Sequence, residues 1–235
     1  CFLELGGNDP LIIFDDVDLD TAVTEAINGR IVHAGQACCS SKRFIVQENI
    51  YDEFAGRLAE RLKGMKIGDP LDQGSRVGPL IDERAAQRVE EIVDRTVKAG
   101  AYCLCGGRRF DGNFFEPTVL TGVTPAMDIA QNLEVFGPVF PLIKFKTEEQ
   151  AVAIADNCTD GLSSGVISGE IQRAIRVARQ LDAGNCTING TGLYRTHDMP
   201  FGGHRKSGLG TEGLYATLDE FTKTKTYVWK GAAIR

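Results

Sequence analysis

Three short stretches of this chain hold side chains that could do chemistry together. The densest is His33-Ala34-Gly35-Gln36-Ala37-Cys38-Cys39-Ser40. A helical pattern ends near Ala34, a glycine permits an unusual turn, and a thiol follows just before the next β-prone run. Loops on a rigid α/β frame commonly present nucleophiles, and backbone N–H groups in such a turn can receive an oxyanion. Free cysteine also packs as a small hydrophobe. No histidine stands at a spacing that would activate Cys38 or Cys39, so the residue types alone leave both readings open.

The second stretch is Leu3-Glu4-Leu5-Gly6-Gly7-Asn8. Glu4, flanked by leucines, is either a strand residue facing water or a partly desolvated acid suited to general-base work. The third is Glu134-Val135-Phe136-Gly137-Pro138-Val139. In an extended segment the acid and the ring point the same way, so they can present a hydroxyl-binding carboxylate beside a flat surface. Core packing of Phe136 is the alternative. Gly208-Leu209-Gly210-Thr211-Glu212-Gly213 matches GxGxxG. It lacks the preceding strand and the βαβ context of a dinucleotide fingerprint, which excludes it as a phosphate cradle.

Alternating helices and strands must position these groups. Leu19, Ala22, Val23, Ala26, Ile27 and Ile31 follow helical spacing, with Asp18 as cap and Asp20 in the acidic first turn. Further helices are expected from Asn49 through Leu62, from Asp82 to Ala99, from Thr147 to Ala155 and from Ile171 to Leu181. Thr147 and Gln150 have capping-box spacing. Strands are expected at 43–47, 101–105, 138–145, 164–167 and 185–189, with Thr222–Trp229 as a terminal β-prone segment. Strands separated by helices imply an α/β fold, a largely parallel sheet with helices on both faces. The terminal strand, with Lys223 and Lys225 and nothing after it to pair with, is either an oligomer contact or a frayed tail.

Composition narrows the function class. Of 235 residues, 43% are hydrophobic and 25% charged, as in ordinary globular proteins. The net charge of −6 argues against nucleic-acid binding. Ala101–Cys105 is as long as any apolar run, far below the ~20 residues of a membrane helix, so no membrane partner is expected. Seven irregularly spaced cysteines suit a reducing, cytoplasmic compartment, and none of the three histidines has partners at metal-ligand spacing. The chain begins with Cys1 inside a strand-like run, which reads as part of something longer.

Together these stretches resemble the NAD(P)-dependent aldehyde dehydrogenase superfamily, succinate-semialdehyde and lactaldehyde dehydrogenases in particular. LELGGN is similar to its glutamate motif and GQACC to its cysteine motif, with Glu4 and Cys38 34 positions apart. EVFGPV resembles its cofactor-contacting motif and PFGGHRKSGLGTEG its C-terminal loop. The resemblance covers essentially the whole chain and implies that Cys38, two places after Gln36, is the nucleophile and Glu4 the general base. It implies that Glu134 binds the nicotinamide-ribose hydroxyls, that Phe136 packs near the nicotinamide, and that the cofactor is NAD or NADP. Two positions depart from the pattern: Leu133 stands where many relatives have a second acid, and Ser40 where alanine is commoner.

The implied chemistry is oxidation of a small aldehyde to a carboxylic acid. Cys38 attacks the carbonyl, hydride leaves for NAD(P)+, and Glu4 activates the water that hydrolyses the thioester. The Cys38 N–H and, in relatives, an upstream asparagine hold the oxyanion. Thr191–Met199 would line the aldehyde entrance, where Arg195 could meet an anionic substrate or serve only as a packing arginine. The expected division is a stub of a cofactor domain over 1–7, a catalytic domain over 8–205, and a C-terminal loop and oligomerisation strand over 206–235. With the N-terminal cofactor domain absent, little dehydrogenase turnover is expected from these residues alone. Two other functions compete: a non-catalytic oligomerisation or binding module, and a thiol redox sensor using Cys38/Cys39 or Cys103/Cys105.

Overall fold

Short runs of branched and aromatic residues with no polar alternation, Leu11–Ile13, Phe44–Val46 and Val139–Ile143, demand burial on both sides. A computed structural model, describing residues 1–231, places them at the centre of a seven-stranded sheet. In chain order the elements begin β1 (Leu3–Glu4), β2 (Pro10–Ile13), α1 (Leu19–Ile31), β3 (Arg43–Gln47), α2 (Glu48–Lys63) and α3 (Glu83–Lys98). Then come β4 (Tyr102–Cys105), β5 (Arg109–Phe110), β6 (Phe114–Phe115), β7 (Thr118–Val123), β8 (Val139–Phe145), α4 (Glu148–Ala155) and β9 (Asp160–Gly161). The last are β10 (Gly165–Ile167), α5 (Ile171–Ala178), β11 (Thr187–Ile188), β12 (His204–Arg205), β13 (Gly208–Leu209) and α6 (Leu214–Phe221).

The sheet order is β11-β10-β2-β3-β8-β7-β4, parallel throughout except for β4 at the edge. Chain connections run outward from β2 to β3 in one direction and from β10 to β11 in the other. Right-handed crossovers therefore put α1 on one face and α5 on the opposite one. The expected two-sided α/β sheet is present. Asp18 caps α1 by accepting from the Thr21 N–H at 2.8 Å, and Asp82 caps α3 through the Ala85 N–H at 2.7 Å. The Thr147 hydroxyl accepts from the Gln150 N–H at 3.3 Å.

Several expectations change. Strands β2 and β7 were not anticipated: an apolar run of four residues has no period of its own, and Gly122 interrupts the other. Helix α5 stops at Ala178, so Leu181 packs from the following turn. The predicted strand at Thr222–Trp229 is not formed, because a strand needs a neighbour for its ladder and none lies beside it among the described residues. Instead helix α6 follows the glycine-rich loop, with none of its residues buried. The first two residues of the GxGxxG segment form β13, which pairs antiparallel with β1, Leu3 opposite Leu209 and Glu4 opposite Gly208.

The stretches that hold Glu4, Cys38 and Glu134 each enter a parallel strand rather than leaving one, whereas Thr191–Met199 with Arg195 follows β11. Glu4–Asp9 precede β2, Cys38–Lys42 precede β3, Glu134–Pro138 precede β8 and Leu162–Ser164 precede β10. Because these strands are parallel, the loops converge on the amino-terminal edge of the sheet. Buried cations hold them there. Arg43, 1% exposed, donates to the carbonyls of Asn8 (2.6 Å), Ile154 (2.9 Å), Ala155 (2.7 Å) and Ala130 (3.3 Å). Replacing Arg43 with methionine leaves the Asn8, Ala155 and Ala130 carbonyls without their side-chain donor, while Ile154 keeps the Asn157 N–H at 3.3 Å. Unpaired buried polar groups cost ~1–3 kcal/mol each. Urea unfolding of Arg43→Met is expected to show a loss of about 3–5 kcal/mol with little change in slope.

Candidate active site

The chain leaves α1 through a tight turn, Val32–Gly35, in which His33 (φ 51°), Ala34 (φ 55°) and Gly35 (φ 79°) are all left-handed. A Cβ on Gly35 would stand 2.3 Å from the Gly137 carbonyl oxygen, so glycine lets the cysteine turn lie against the Glu134–Pro138 loop. Gln36 fixes the turn from outside. Its amide donates to the His33 carbonyl at 2.8 Å and its carbonyl accepts from the Ile81 N–H at 2.8 Å.

Beyond it, Cys38 and Cys39 occupy different environments. Cys39 is buried in a small apolar cluster with Leu162 and Phe201. Cys38 is half-buried, its Sγ 4.0 Å from Glu4 Oε2. The geometry thus brings the predicted nucleophile and base together. Hydrogen bonding from the Cys39 thiol, helped by the Lys42 charge, lowers the Cys38 thiol to about 7, against the opposing effects of burial and of the Glu4 carboxylate. The Cys39 thiol is pushed up, first by its hydrogen bond to Cys38 and then by burial. Neighbouring positions in sequence differ in acidity because the Cys39 thiol donates to the Cys38 sulfur and so stabilises its thiolate, while Cys39 itself is held protonated by that bond and by burial.

Glu4 is held by the β1–β13 ladder, which the Leu5 N–H extends to the Ser207 carbonyl at 2.9 Å. Burial raises its carboxyl, Glu212 adds to the rise, Arg195 opposes it and Glu134 reinforces it. Glu4 Oε1 is buried without a hydrogen-bond partner. An acid so placed takes up a proton more readily than one in water.

Glu134 and Phe136 are on the wall of a cleft of about 650 Å³ that Arg88 and Val89 of α3 also line, and the Glu134 charge still reaches Glu4. The ring of Phe136 is 42% exposed while Val135 between them is buried, so the core-packing alternative for Phe136 does not hold. Glu134 Oε1 accepts from the Gly7 N–H at 3.1 Å and pairs with the Lys42 ammonium at 3.2 Å. A Cβ on Gly6 would lie 2.2 Å from Glu134 Oε2, so a side chain there would displace the Glu134 carboxylate. A carboxylate at the lip of an open cleft with a flat ring beside it fits a diol next to a planar heterocycle. Arg195 is elsewhere: its Nη2 donates to Glu212 Oε1 at 2.8 Å and its guanidinium lies 3.8 Å from the centroid of Phe201. It influences Glu4 through charge and does not reach the Glu134–Phe136 cleft.

The Aldehyde dehydrogenase family model matches residues 1–227. The chain belongs to the aldehyde dehydrogenase family. It is 42% identical over 223 residues to a glutarate-semialdehyde dehydrogenase of Pseudomonas putida, covering 95% of this chain and 46% of that protein. It is 42% identical over 231 residues to the mitochondrial succinate-semialdehyde dehydrogenase of Arabidopsis thaliana, covering 97% and 43%. Among solved structures, an NAD-dependent aldehyde dehydrogenase from Sinorhizobium meliloti superposes with a TM-score of 0.91 at 40% identity, over 94% of this chain and 44% of that one. The glyceraldehyde-3-phosphate dehydrogenase of Methanocaldococcus jannaschii, complexed with NADP, gives 0.89 at 38% identity, over 93% and 47%. The chain spans about half the length of the relatives it matches.

Sequence reasoning missed four supporting residues. Arg30 lies on the apolar stripe of α1, and a charge on a buried stripe was the available signal. Its guanidinium donates to the carbonyls of Val139 (2.9 Å) and Val135 (2.7 Å) and to Ser40 Oγ (2.7 Å). That contact explains the serine at position 40, whose hydroxyl also donates to the Ala37 carbonyl at 3.1 Å. Lys42 and Asp9 carried no periodic or motif signal, and Glu212 lay inside the PFGGHRKSGLGTEG stretch with nothing to mark it out from its neighbours.

The Cys103/Cys105 pair expected of a redox sensor is absent as a bond, and both thiols are raised by burial. Iodoacetamide is therefore expected to label Cys38 well before Cys103 or Cys186, with a midpoint near pH 7 in its rate profile. Glu4→Gln removes a negative charge that disfavours the thiolate, so the midpoint should move to lower pH. Peptide mass spectrometry after timed labelling reads both.

Proposed function

We propose that this chain is the catalytic part of an NAD(P)-dependent aldehyde dehydrogenase that converts a small aldehyde to its carboxylic acid through a thioester on Cys38. The contact of Cys38 Sγ with Glu4 Oε2 carries this reading, because it unites an acidified thiol with a carboxyl displaced upward toward base function. Cys38 attacks the carbonyl carbon as a thiolate, forming the C–S bond. The Cys38 N–H meets the oxygen that becomes negative. After the substrate's hydrogen has gone, Glu4 takes a proton from water, whose oxygen displaces the Cys38 sulfur and releases the acid.

Glu134 would hold the nicotinamide-ribose hydroxyls, and Phe136 would pack beside the ring. When bound, NAD or NADP supplies the hydride acceptor. For Glu134 to take a diol it must share or release the Gly7 N–H and the Lys42 ammonium. Arg195, with N–H groups left beyond its Glu212 contact, would receive an anionic group on the substrate. The names of the relatives support that class, since glutarate and succinate semialdehydes bear a carboxylate.

In this reading residues 1–7 are the end of a cofactor-binding domain, 8–205 the catalytic domain, and 206–235 the C-terminal loop and oligomer contact. The exposed Leu214, Leu218 and Phe221 of α6, followed by exposed Tyr227, Val228 and Trp229, support a homo-oligomeric contact there. No helix among the described residues is long and apolar enough to cross a membrane.

The 235 residues assayed alone should give little NAD(P)H with any aldehyde, because the asparagine donor and the adenosine-binding residues implied by the resemblance lie upstream of Glu4. Hydrolysis of p-nitrophenyl acetate requires only the thiol, the oxyanion donor and the base. A burst of nitrophenol equal to the enzyme present is expected, absent in Cys38→Ser. Glu4→Gln should keep the burst and slow the following steady state by ~10²–10⁴-fold. A burst that survives Cys38→Ser, or no burst at all, defeats the assignment.

A further inference from the structure

Lys42 is the least expected residue at the site. Its side chain is 1% exposed, and burial pushes its ammonium down from the usual lysine range, opposed by Asp9 and Glu134. Beyond the Glu134 contact, Nζ donates to three carbonyls of the same short turn: Ala37 (3.0 Å), Cys38 (2.5 Å) and Ser40 (3.3 Å).

This placement has a geometric consequence. In a trans peptide the N–H points opposite to the C=O. With the Ala37 carbonyl drawn toward Nζ, the Cys38 N–H of the same peptide points away from it. Drawing in the Cys38 carbonyl likewise turns the Cys39 N–H outward. The Cys38 N–H has no acceptor among the described residues, so it is a donor kept in reserve. The cation holds the Ala37 carbonyl together with the Ser40 N–H (3.3 Å) and hydroxyl (3.1 Å), and with the Cys38 carbonyl it sets the direction of the outward amides.

We propose that Lys42 is a positioning residue of the nucleophile turn: its buried ammonium fixes the Ala37–Cys38 and Cys38–Cys39 peptide planes, aims the Cys38 N–H at a reacting carbonyl oxygen, and supplies charge that favours the thiolate. This rests on the reading of Cys38 as nucleophile. The same ammonium contacts Glu134, so the carboxylate assigned to the cofactor and the thiol share one cation. The other charged groups around the turn are Glu4 from β1, Asp9 before β2, Arg30 from α1 and the neighbouring Cys39. Arg195 and Glu212 stand behind Glu4. Asp9 is buried, its carboxyl raised to about 6 chiefly by that burial, and it accepts from the Ser163 hydroxyl at 2.5 Å. Of these groups, only Lys42 contacts the Ala37 and Cys38 carbonyls together.

The test uses the 235-residue chain and two readouts that need no cofactor: the pH profile of iodoacetamide labelling at Cys38, and the p-nitrophenyl acetate burst rate. Lys42→Met should raise the labelling midpoint by about one unit, or ~tenfold slower labelling below it. At pH above both midpoints, where the thiolate is complete in either protein, its burst should still be slower by ~10–10²-fold, the loss of a well-aimed oxyanion donor. Lys42→Arg restores the charge and should bring the midpoint back toward wild type. Lys42→Gln keeps an N–H donor without charge, so its midpoint should rise while its high-pH burst falls less than that of Lys42→Met. It also serves if the methionine variant fails to fold. A folded Lys42→Met or Lys42→Gln with the wild-type midpoint and burst overturns the proposal while leaving Cys38 as nucleophile. Wild-type protein that labels Cys186 as fast as Cys38 removes the nucleophile reading, and this proposal with it.

Discussion

The constraint on which this structure depends is the need to satisfy backbone carbonyls where loops are packed inside the protein. A buried carbonyl without a donor is costly, and loops have no ladder to supply one. Three buried cations meet that need at the amino edge of the sheet. Arg43 takes the carbonyls that end α4 and the one at Asn8; Arg30 takes those of Val135 and Val139; Lys42 takes those of the cysteine turn. Arg30 and Arg43 join segments remote in sequence through these carbonyls and Lys42 does so through Glu134, which is why the loops before β2, β3 and β8 can converge as a fixed surface.

The site this produces is unusual in location. In open parallel sheets ligands commonly settle beyond the carboxyl ends of the strands, where the connections diverge. Here the divergence lies between β2 and β10, yet the reactive groups gather at the opposite, amino-terminal edge. The thiol and Glu4 occupy one side, with Arg195 and Glu212 behind them. Glu134 and Phe136 occupy the other, on the open cleft beside α3. Lys42 is the physical link between the two sides, since its ammonium touches Glu134 and the cysteine turn at once.

Much of the framework was readable without coordinates. Caps at Asp18, Asp82 and Thr147 are local chemistry, each a side-chain oxygen within three residues of the N–H it accepts. Helices α1 and α3 declared themselves through regular apolar spacing. Strand β2 was missed because four consecutive apolar residues fit a buried strand or a helix turn equally well. The tail at 222–229 was misread because β-propensity describes fitness for a pleated neighbour, and the chain places none beside it. Leu181, by contrast, continued the α5 pattern past the point where the backbone had already turned.

The sequence by itself determined the residue types, their local periodicity and the motif order that single out Glu4, Cys38, Glu134 and Phe136 as candidates, because these are properties of neighbours along the chain. Only the tertiary structure decided which of two adjacent thiols is acidic, since that depends on which sulfur receives the other's hydrogen bond and the Lys42 charge and which is buried against Leu162 and Phe201. It alone decided that Arg30, Lys42 and Arg43 point inward. A cation enters a protein interior only when enough oxygens converge on it, and those oxygens come from segments up to 112 residues away in the chain.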